Sequence, residues 1–470
     1  MSKLFAVALG AATLLSAPLG FAGDGDPDPD FGNGGVAYLA LDGIEGHELR
    51  AKTVIALAGG KLLFAGSRNL LIPGNPDPAM RAMMARMNPD GSPDLGFGAD
   101  PNNPGILVLP SISATAIQTI EAMRTLDDGT ILVAGYAYVF GPLSGFIGKF
   151  DADGHPDDAF GQDGILQIPS VFLHAMAIDS QGRIVVAGEQ SINGLSQGYI
   201  ARLSTDGTFD PTFGPADDGT VLLTPEVAGD NAYISAIALD DADGIVAGGI
   251  YEDNQNFLSQ FSLAHVDADG NLVTTFADDG WRRFTVPGDT SMFNGIDVLT
   301  RTPDGLIVIG AHHDDGQGGT VVVLGQLDAN GNDDAAFGDP STPGYRNLVV
   351  VPDAWNRYAS AVVRQDDGKF LVSVSYATPA KEDFVVARAG TDGAPDPDFG
   401  TAGIVDFDAA PGGVYSNLTA MTLQDGKPIL AGSAKRDPGS SLVDLAAVRL
   451  GKRPAGDDLV FAGRLRRHVG

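Results

Sequence analysis

Apolar residues along this chain fall into short alternating runs, which are separated by turns rich in glycine and aspartate. Residues 174–223 contain four such runs. They lie at Ala175–Ile178, Arg183–Ala187, Gly198–Leu203 and Thr220–Leu223. Alternation with a period of two, bounded by turn residues, predicts β-strands. A helical period with caps is not found, apart from one candidate helical turn near Pro78–Met87.

The four-strand unit recurs along the chain, and each copy carries a phenylalanine after its most regular turn. The seven phenylalanines are Phe31, Phe97, Phe160, Phe213, Phe276, Phe337 and Phe399. A repeat of about 61 residues indicates one supersecondary unit used seven times. Four strands per unit and no predicted helix favour a seven-bladed β-propeller of four-stranded blades. An open β-solenoid is the rival, but it needs end caps that the sequence does not show.

The two ends of the repeat array predict how the ring closes. The first run, Gly35–Leu41, is of the fourth type in its unit, and the last run, Leu445–Leu450, is of the third type. We therefore expect the N-terminal strand to join the last blade. No linker divides the chain, so residues 23–451 are expected to form one propeller domain.

The turn between the third and fourth strands carries the most regular residues. An Asp-Gly or Asn-Gly pair begins seven residues before each phenylalanine, and an aspartate precedes the phenylalanine by three in six units, with Val273 as the exception. The element DG-x-x-D-x-x-F-G, followed by DG-x-I-L-V-A-G as in Asp128–Gly135, resembles the delta-60 repeat family. The resemblance covers nearly the whole chain. It implies exported or surface-associated bacterial proteins of propeller type, and it brings no catalytic residues.

Both ends differ in composition from the repeats. Residues 1–22 have Lys3, an apolar stretch from Leu4 to Leu19 and small residues near Ala22, which together predict a cleaved signal peptide. An uncleaved anchor is the alternative. We expect a protein exported to the bacterial periplasm or cell exterior, with no membrane span. Residues 452–470 form a short basic tail. Because the chain has no cysteine, its stability must come from a core, from ions, or from both.

The formal net charge of −31 argues against nucleic-acid or anionic-lipid partners and favours cations. Three of the acidic turns have the alternating oxygens of a partial calcium loop, although none has the terminal glutamate. The candidate ligands are Asn88, Asp90, Asp94, Asp151, Asp153, Asp157, Asp328, Asn330 and Asp334. The other interpretation is that these side chains shape the turn by bonding the backbone. Calcium is therefore a possible cofactor, at one or two sites.

Other motifs point to no definite chemistry. His312 and His313 are adjacent, so on an extended segment they point to opposite sides, and we expect an exposed polar hairpin. The string Gly194–Gly198 matches G-x-S-x-G, but it is followed by a strand where a hydrolase elbow needs a helix.

Binding is expected on the propeller face that carries the second-to-third connections and the crossings between blades, because these segments vary most in length and composition. The candidate ligand-binding residues there are Tyr136, Tyr138, Glu252, Asp253, Trp355, Arg357 and Tyr358. They suit a glycan or protein partner. We expect a monomeric, non-enzymatic binding or scaffold propeller. The alternatives are a channel-centred lyase or hydrolase, with His174 and Arg124 as residues to test, and a calcium-stabilised structural protein of the envelope.

Overall fold

The computed structural model describes residues 24–40, 47–70, 79–98, 105–110, 112, 117–138, 143–277, 279–286, 294–314, 319–348, 355–377, 382–411, 415–439 and 442–451. These residues form β-strands and no helix. The strands, in chain order, are β1 (Val36–Leu39), β2 (His47–Ala56), β3 (Leu62–Leu70), β4 (Ala79–Met87), β5 (Ile106–Val108), β6 (Ile117–Thr125), β7 (Ile131–Tyr138), β8 (Leu143–Phe150), β9 (Ile165–Pro169), β10 (Val171–Ile178), β11 (Ile184–Ile192), β12 (Leu195–Leu203), β13 (Thr220–Leu223), β14 (Asn231–Leu239), β15 (Ile245–Asp253), β16 (Leu258–Val266), β17 (Trp281–Phe284), β18 (Gly295–Arg301), β19 (Ile307–Asp314), β20 (Thr320–Leu327), β21 (Gly338–Asp339), β22 (Thr342–Pro343), β23 (Tyr345–Leu348), β24 (Trp355–Arg364), β25 (Phe370–Ala377), β26 (Phe384–Ala389), β27 (Ile404–Phe407), β28 (Tyr415–Gln424), β29 (Lys427–Lys435) and β30 (Asp444–Arg449).

The strands form seven four-stranded antiparallel blades, and β21 and β22 form a separate small hairpin. The blades, in order, are β2–β5, β6–β9, β10–β13, β14–β17, β18–β20 with β23, β24–β27, and β28–β30 with β1. The first strand of every blade contacts the first strands of both neighbouring blades, and β2 contacts β28. These seven first strands therefore surround the axis of a closed ring. The predicted seven-bladed β-propeller is confirmed.

The ring is closed by the N-terminal strand, as the sequence predicts. β1 pairs antiparallel with β30, with Val36 opposite Val448. The turn before β1 adds an ion pair, since the Asp28 carboxylate lies 2.8 Å from Nε of Arg449 and 2.6 Å from Nζ of Lys427. Two segments from opposite ends of the chain thus complete one blade.

The repeated phenylalanines connect each blade to the next. All seven are at most 2% exposed. In six of the seven turns, the residue after the phenylalanine donates its backbone N–H to a carbonyl of the following blade. The acceptor is the Asp or Asn of that blade's Asp-Gly or Asn-Gly pair. For example, Gly98 donates to the carbonyl of Asp153 at 3.1 Å. The glycine of that pair must have no side chain, because a Cβ at Gly154 would lie 3.0 Å from the Phe97 ring and its φ is +91°. The regular turns therefore hold neighbouring blades together on one face.

In five blades, the aspartate before the phenylalanine bonds to a side chain eight residues earlier, in the third strand. Examples are Arg86 with Asp94 at 2.6 Å and Arg388 with Asp396 at 2.7 Å. In the last blade, Asp28 bonds to Arg449 of the third strand β30. The fourth blade lacks both partners, because His265 and Val273 occupy these positions, and His265 instead bonds Asp240 at 2.9 Å. The exception at Val273 is thus matched by a change in the third strand.

Two smaller expectations are wrong. The part of the candidate helical turn that the structure describes, residues 79–87, is strand β4. His312 and His313 are buried within strand β19 and do not form an exposed hairpin. β19 continues through both histidines because its partner β20 pairs with it as far as Asp314. Residues 1–22 and 452–470 lie outside the described residues. Within the described part of the chain, no helix is long and apolar enough to cross a membrane.

Candidate functional site

The residues predicted to bind a ligand lie near the face of the second-to-third connections, but they do not form one cluster. Tyr136 packs edge-on against Phe172, with ring centroids 5.0 Å apart, and burial raises its pKa to about 12. Tyr358 packs against His312 at 4.8 Å. Glu252 accepts a hydrogen bond from the Tyr233 hydroxyl at 3.0 Å.

Of the remaining predicted residues, the structure describes the side chains of Tyr138 and Asp253 only. Tyr138 is 42% exposed at the end of β7. Asp253 accepts hydrogen bonds from the backbone N–H groups of Gln255 and Asn256, so it shapes its own turn. The side chains of Trp355 and Arg357 lie outside the described residues.

The carboxylates proposed as calcium ligands bond to the protein itself. Asp151 Oδ1 accepts the backbone N–H groups of Asp153 and His155 at 2.9 and 2.8 Å. Asp328 bonds in the same way within its own turn, and Asp94, Asp157 and Asp334 bond to third-strand side chains. In the part of the chain that is described, no group of three or more His, Cys, Asp or Glu side chains is placed to hold a metal ion. Calcium binding stays a prediction.

Every first strand has a β-bulge at the same position. One residue in each lacks a partner in the second strand, which shifts the register there. The seven bulge residues are Lys52, Glu121, His174, Ser235, Asp297, Ser360 and Thr419. A bulge bends its strand and redirects the side chain that it carries. Because the bulge is repeated around the axis, it places seven polar side chains at one level, and we call these the bulge ring.

The second strand is adapted to the bulge in most blades. A glycine stands opposite it at Gly66, Gly135, Gly188, Gly249 and Gly432. A Cβ at Gly188 would overlap with the carbonyl oxygen of Phe172 in the bulged strand. Glycine therefore permits the close approach of the two backbones. Ala311 and Val374 occupy this place in the fifth and sixth blades.

The bulge ring lines a cavity of about 550 Å³ on the propeller axis. All seven first strands contribute to its wall, which includes every bulge residue together with Arg124, Glu189 and Tyr233. A cavity of this size is in the range of small-molecule sites. A second cavity of about 460 Å³ shares Lys52 and Thr419 with it and is lined by Glu48, Arg50, Glu382 and Tyr415 near the starts of β2 and β28. The axial cavity thus adjoins a second cavity on the side of the variable connections.

One half of the axial cavity, formed by the first three blades, is ionic. Lys52 Nζ lies 3.6 Å from Glu121 Oε2, and His174 Nε2 lies 2.7 Å from Glu189 Oε2. Burial alone would lower the pKa of His174, but the hydrogen bond and charge of Glu189 outweigh it, so the pKa is raised. His174 can therefore hold a proton at a higher pH than a free histidine.

The other half carries mainly hydroxyl groups. The hydroxyl of Ser360 lies 2.8 Å from that of Ser373, and the Thr419 hydroxyl donates to the carbonyl of Ala51 at 2.6 Å. Asp297 bonds His312 at 2.8 Å, and burial raises the pKa of its carboxyl group despite this partner. The cavity therefore combines charged groups on one side with hydroxyl groups on the other.

Two segments of the chain, residues 126–160 and 180–213, match the model of a family described as a domain of unknown function (DUF5122) beta-propeller. The repeats are β-propeller repeats. No curated protein matches the chain.

Solved structures with a similar arrangement include a protein of unknown function from Dyadobacter fermentans, with 13% identity, 89% of this chain and 100% of that chain covered, and a TM-score of 0.46. Sqt1 from Chaetomium thermophilum has 11% identity, coverage of 90% and 98%, and a TM-score of 0.43. The NanB sialidase from Streptococcus pneumoniae has 11% identity, coverage of 88% and 70%, and a TM-score of 0.39. With values this low, these likenesses carry no argument about function.

The bulge ring was not predicted from the sequence, although a signal for it is present. In five units a polar residue stands eight positions before the glycine of the first hairpin turn, within an otherwise mostly apolar run. These residues are Lys52, Glu121, His174, Asp297 and Ser360. His174 and Arg124 were predicted to belong to a channel-centred site if one existed, and both line the axial cavity.

Proposed function

We propose that this chain is an exported, non-enzymatic binding propeller that takes the end of a glycan, or another hydroxyl-rich molecule, into its axial cavity from the side of the variable connections. The observation that carries the proposal is the bulge ring, because one backbone feature in seven blades directs seven different polar side chains to one cavity. Export is supported by residues 1–22 and by the resemblance to the delta-60 repeat.

The chemistry of the cavity wall favours such a ligand. A sugar presents many hydroxyl groups, each able to donate and to accept, so it needs a wall that holds both donors and acceptors. Lys52 donates, Glu121 and Glu189 accept, and the hydroxyl groups of Ser235 and Ser360 do both. Buried polar groups that a ligand leaves without a partner are costly, so a wall of this kind selects against apolar molecules.

The apolar faces of sugars are also provided for. Tyr136 and Phe172 form an aromatic pair beside His174, whose ring centroid lies 6.1 Å from that of Tyr136 and 6.3 Å from that of Phe172. Tyr233 is a further aromatic residue of the cavity wall. The rings of His174 and Tyr233 line the wall and offer flat surfaces next to hydrogen-bonding groups, whereas Tyr136 and Phe172 pack against His174.

The test is titration calorimetry of the purified protein against a panel of neutral and acidic oligosaccharides. The expected result is a saccharide that binds the parent protein and loses affinity when His174→Gln or Ser235→Leu alters the cavity. Tyr138→Ala is the matched control, because Tyr138 lies on the same face and outside the cavity wall. Binding that persists in both cavity variants and is lost in Tyr138→Ala would place the site on the variable connections and overturn the proposal. A panel in which no saccharide binds would also overturn it.

A second candidate function is a lyase or hydrolase that uses the same cavity. The observation favouring it is that His174 and Asp297 line the same cavity and that the pKa of each is raised, as is common for general acids and bases. Release of new reducing ends or unsaturated products from the same panel would test it. Turnover that is lost in His174→Gln would establish catalysis, whereas binding without turnover would leave the binding function.

A further inference from the structure

The level of the axial cavity beyond the bulge ring carries a single charged side chain. Counting three residues onward from each bulge residue, the equivalent positions in the other six blades are Ile55, Ala177, Ala238, Thr300, Val363 and Thr422, all uncharged. The second blade has Arg124 at this position, and Arg124 lines the cavity. One blade therefore differs from its neighbours in chemistry at a place where the backbones are equivalent.

The guanidinium of Arg124 has no carboxylate partner among the described residues. Its Nη1 donates to the carbonyl of Met123 at 2.8 Å, and no described acidic group forms an ion pair with it. The enclosing protein lowers the pKa of this guanidinium through burial, without a compensating anion. The side chain is nevertheless accessible to solvent within the cavity.

Three buried arginines of this chain are instead paired with carboxylates, whereas Arg301, like Arg124, bonds only backbone carbonyls among the described residues. Arg86, Arg202 and Arg388 are less than a tenth exposed, and each bonds the aspartate eight residues later at 2.6 to 2.9 Å. The other cationic groups of the cavity are also paired, Lys52 with Glu121 and His174 with Glu189. Arg124 is exposed to solvent, lines the axial cavity and has no carboxylate partner among the described residues, so its guanidinium can bind an anion that enters this cavity.

We propose that Arg124 binds the carboxylate of an acidic sugar, while the hydroxyl groups of that sugar contact the bulge ring. The inference rests on the proposed function and names the ligand class for the same cavity. A guanidinium presents two parallel N–H groups that match the two oxygens of a carboxylate. Glu121 and Glu189 line the same cavity and would repel a doubly charged phosphate more strongly than a singly charged carboxylate.

The position of Arg124 also sets the direction of binding. The adjoining second cavity lies toward the start of β2, whereas Arg124 lies near the end of β6, on the far side of the bulge ring. A sugar that enters from the side of the variable connections would therefore enter with its carboxylate first. This carboxylate would reach Arg124 at the deep end of the cavity. The remaining residues of the sugar would extend back toward the bulge ring and the aromatic side chains.

The experiment compares two probes of similar shape, the methyl glycoside of galacturonic acid, which carries one carboxylate, and its uncharged methyl ester, by titration calorimetry at constant ionic strength. The parent protein is expected to bind the acid at least about tenfold more tightly than the ester, as one charged hydrogen-bonded contact allows. Arg124→Gln should remove this preference, because it should weaken the binding of the acid and leave the affinity for the ester unchanged. Arg124→Lys should retain part of it.

Arg364→Gln is the matched control, because it removes one positive charge from an exposed arginine at the end of β24, outside the cavity wall. It should leave the preference intact. Equal affinity for acid and ester, or a preference that survives Arg124→Gln, would overturn the inference while the proposed function stands. Absence of binding by both probes would overturn the inference, and the proposed function would fall with it only if the oligosaccharide panel also contained no binder. Binding of glucose 6-phosphate that depends on Arg124, without binding of the acid, would refute the assignment to a carboxylate.

Discussion

The ion pair that closes the ring can be tested with a substitution that has an almost identical counterpart elsewhere in the propeller. Asp28→Asn removes a carboxylate that is 4% exposed and contacts Arg449 at 2.8 Å and Lys427 at 2.6 Å. Asp396→Asn removes one that is 6% exposed and contacts Arg388 and Lys369, each at 2.7 Å. The two sites therefore share their local energetics, but only Asp28 lies in the N-terminal segment itself and bonds the third strand of the last blade.

Breaking a buried ion pair from one side costs about 3 to 5 kcal/mol, because the remaining charge stays buried without its partner. The low end applies here for two reasons. Arg449 keeps hydrogen bonds to the carbonyl of Pro89 and to Gln424, at 2.8 and 2.9 Å. An asparagine can still accept the N–H of Asp30, so the turn itself is preserved. We expect both variants to lose about 3 kcal/mol.

Urea unfolding gives the free-energy differences, and hydrogen exchange of residues 36–39 separates the two sites. Exchange in β1 should rise in Asp28→Asn and stay at the parent level in Asp396→Asn, because Asp28, unlike Asp396, belongs to the segment that carries β1 and bonds the last blade. A loss below about 0.5 kcal/mol in Asp28→Asn, with a full loss in Asp396→Asn, would refute the closing role of this ion pair.

Three further predictions concern pH, the bulge and calcium. Burial acts to raise the pKa of Asp28, but the hydrogen bonds and charges of Lys427 and Arg449 outweigh it, so this pKa is lowered in the folded protein. The ionised Asp28 therefore stabilises the folded state above its unfolded pKa of about 3.9, and this contribution is lost as the pH falls through the folded pKa. Unfolding midpoints should fall between pH 5 and pH 2, less steeply in Asp28→Asn, and parallel curves would contradict this. Gly188→Ala should destabilise the protein by about 1 to 3 kcal/mol, because the added Cβ would displace the bulged strand. Gly439→Ala is the control, because its Cβ would meet an ordinary contact of 3.4 Å and should change the stability in urea little. Equal effects of the two substitutions would argue against a close approach of the two backbones at Gly188. Thermal unfolding curves in excess EDTA and in millimolar calcium should coincide, because the carboxylates of the acidic turns already bond to groups within the protein. An increase in the free energy of unfolding of about 2.7 kcal/mol, at a calcium concentration 100 times the dissociation constant, would show that the turns bind calcium.

The fold could be predicted from the sequence because its signals are local and repeated. The Asp-Gly turns and buried phenylalanines mark every blade, and the type of the first and last strands indicates how the ring closes. The bulge ring could not be predicted in the same way, since a residue such as His174 looks like any polar residue in a strand until the register of its partner is known. The burial of His312 likewise depends on Asp297 and Tyr358, which are brought to it by other strands.

Some positions of the repeat carry similar residues in all seven blades, whereas other positions carry different residues on the same backbone. The Phe97 turn and its equivalents are alike because six of the seven make the same backbone hydrogen bond to the next blade, and a change there would disturb the ring. The bulge has the same backbone position in all blades, but its side chains include a lysine, two kinds of carboxylate, a histidine and three hydroxyl groups. Packing alone does not account for such variety at equivalent positions, because the neighbouring residues that do pack, such as Met123 and Met176, are uniformly apolar. The positions that vary on a fixed backbone are therefore those at which this propeller would acquire a specific ligand.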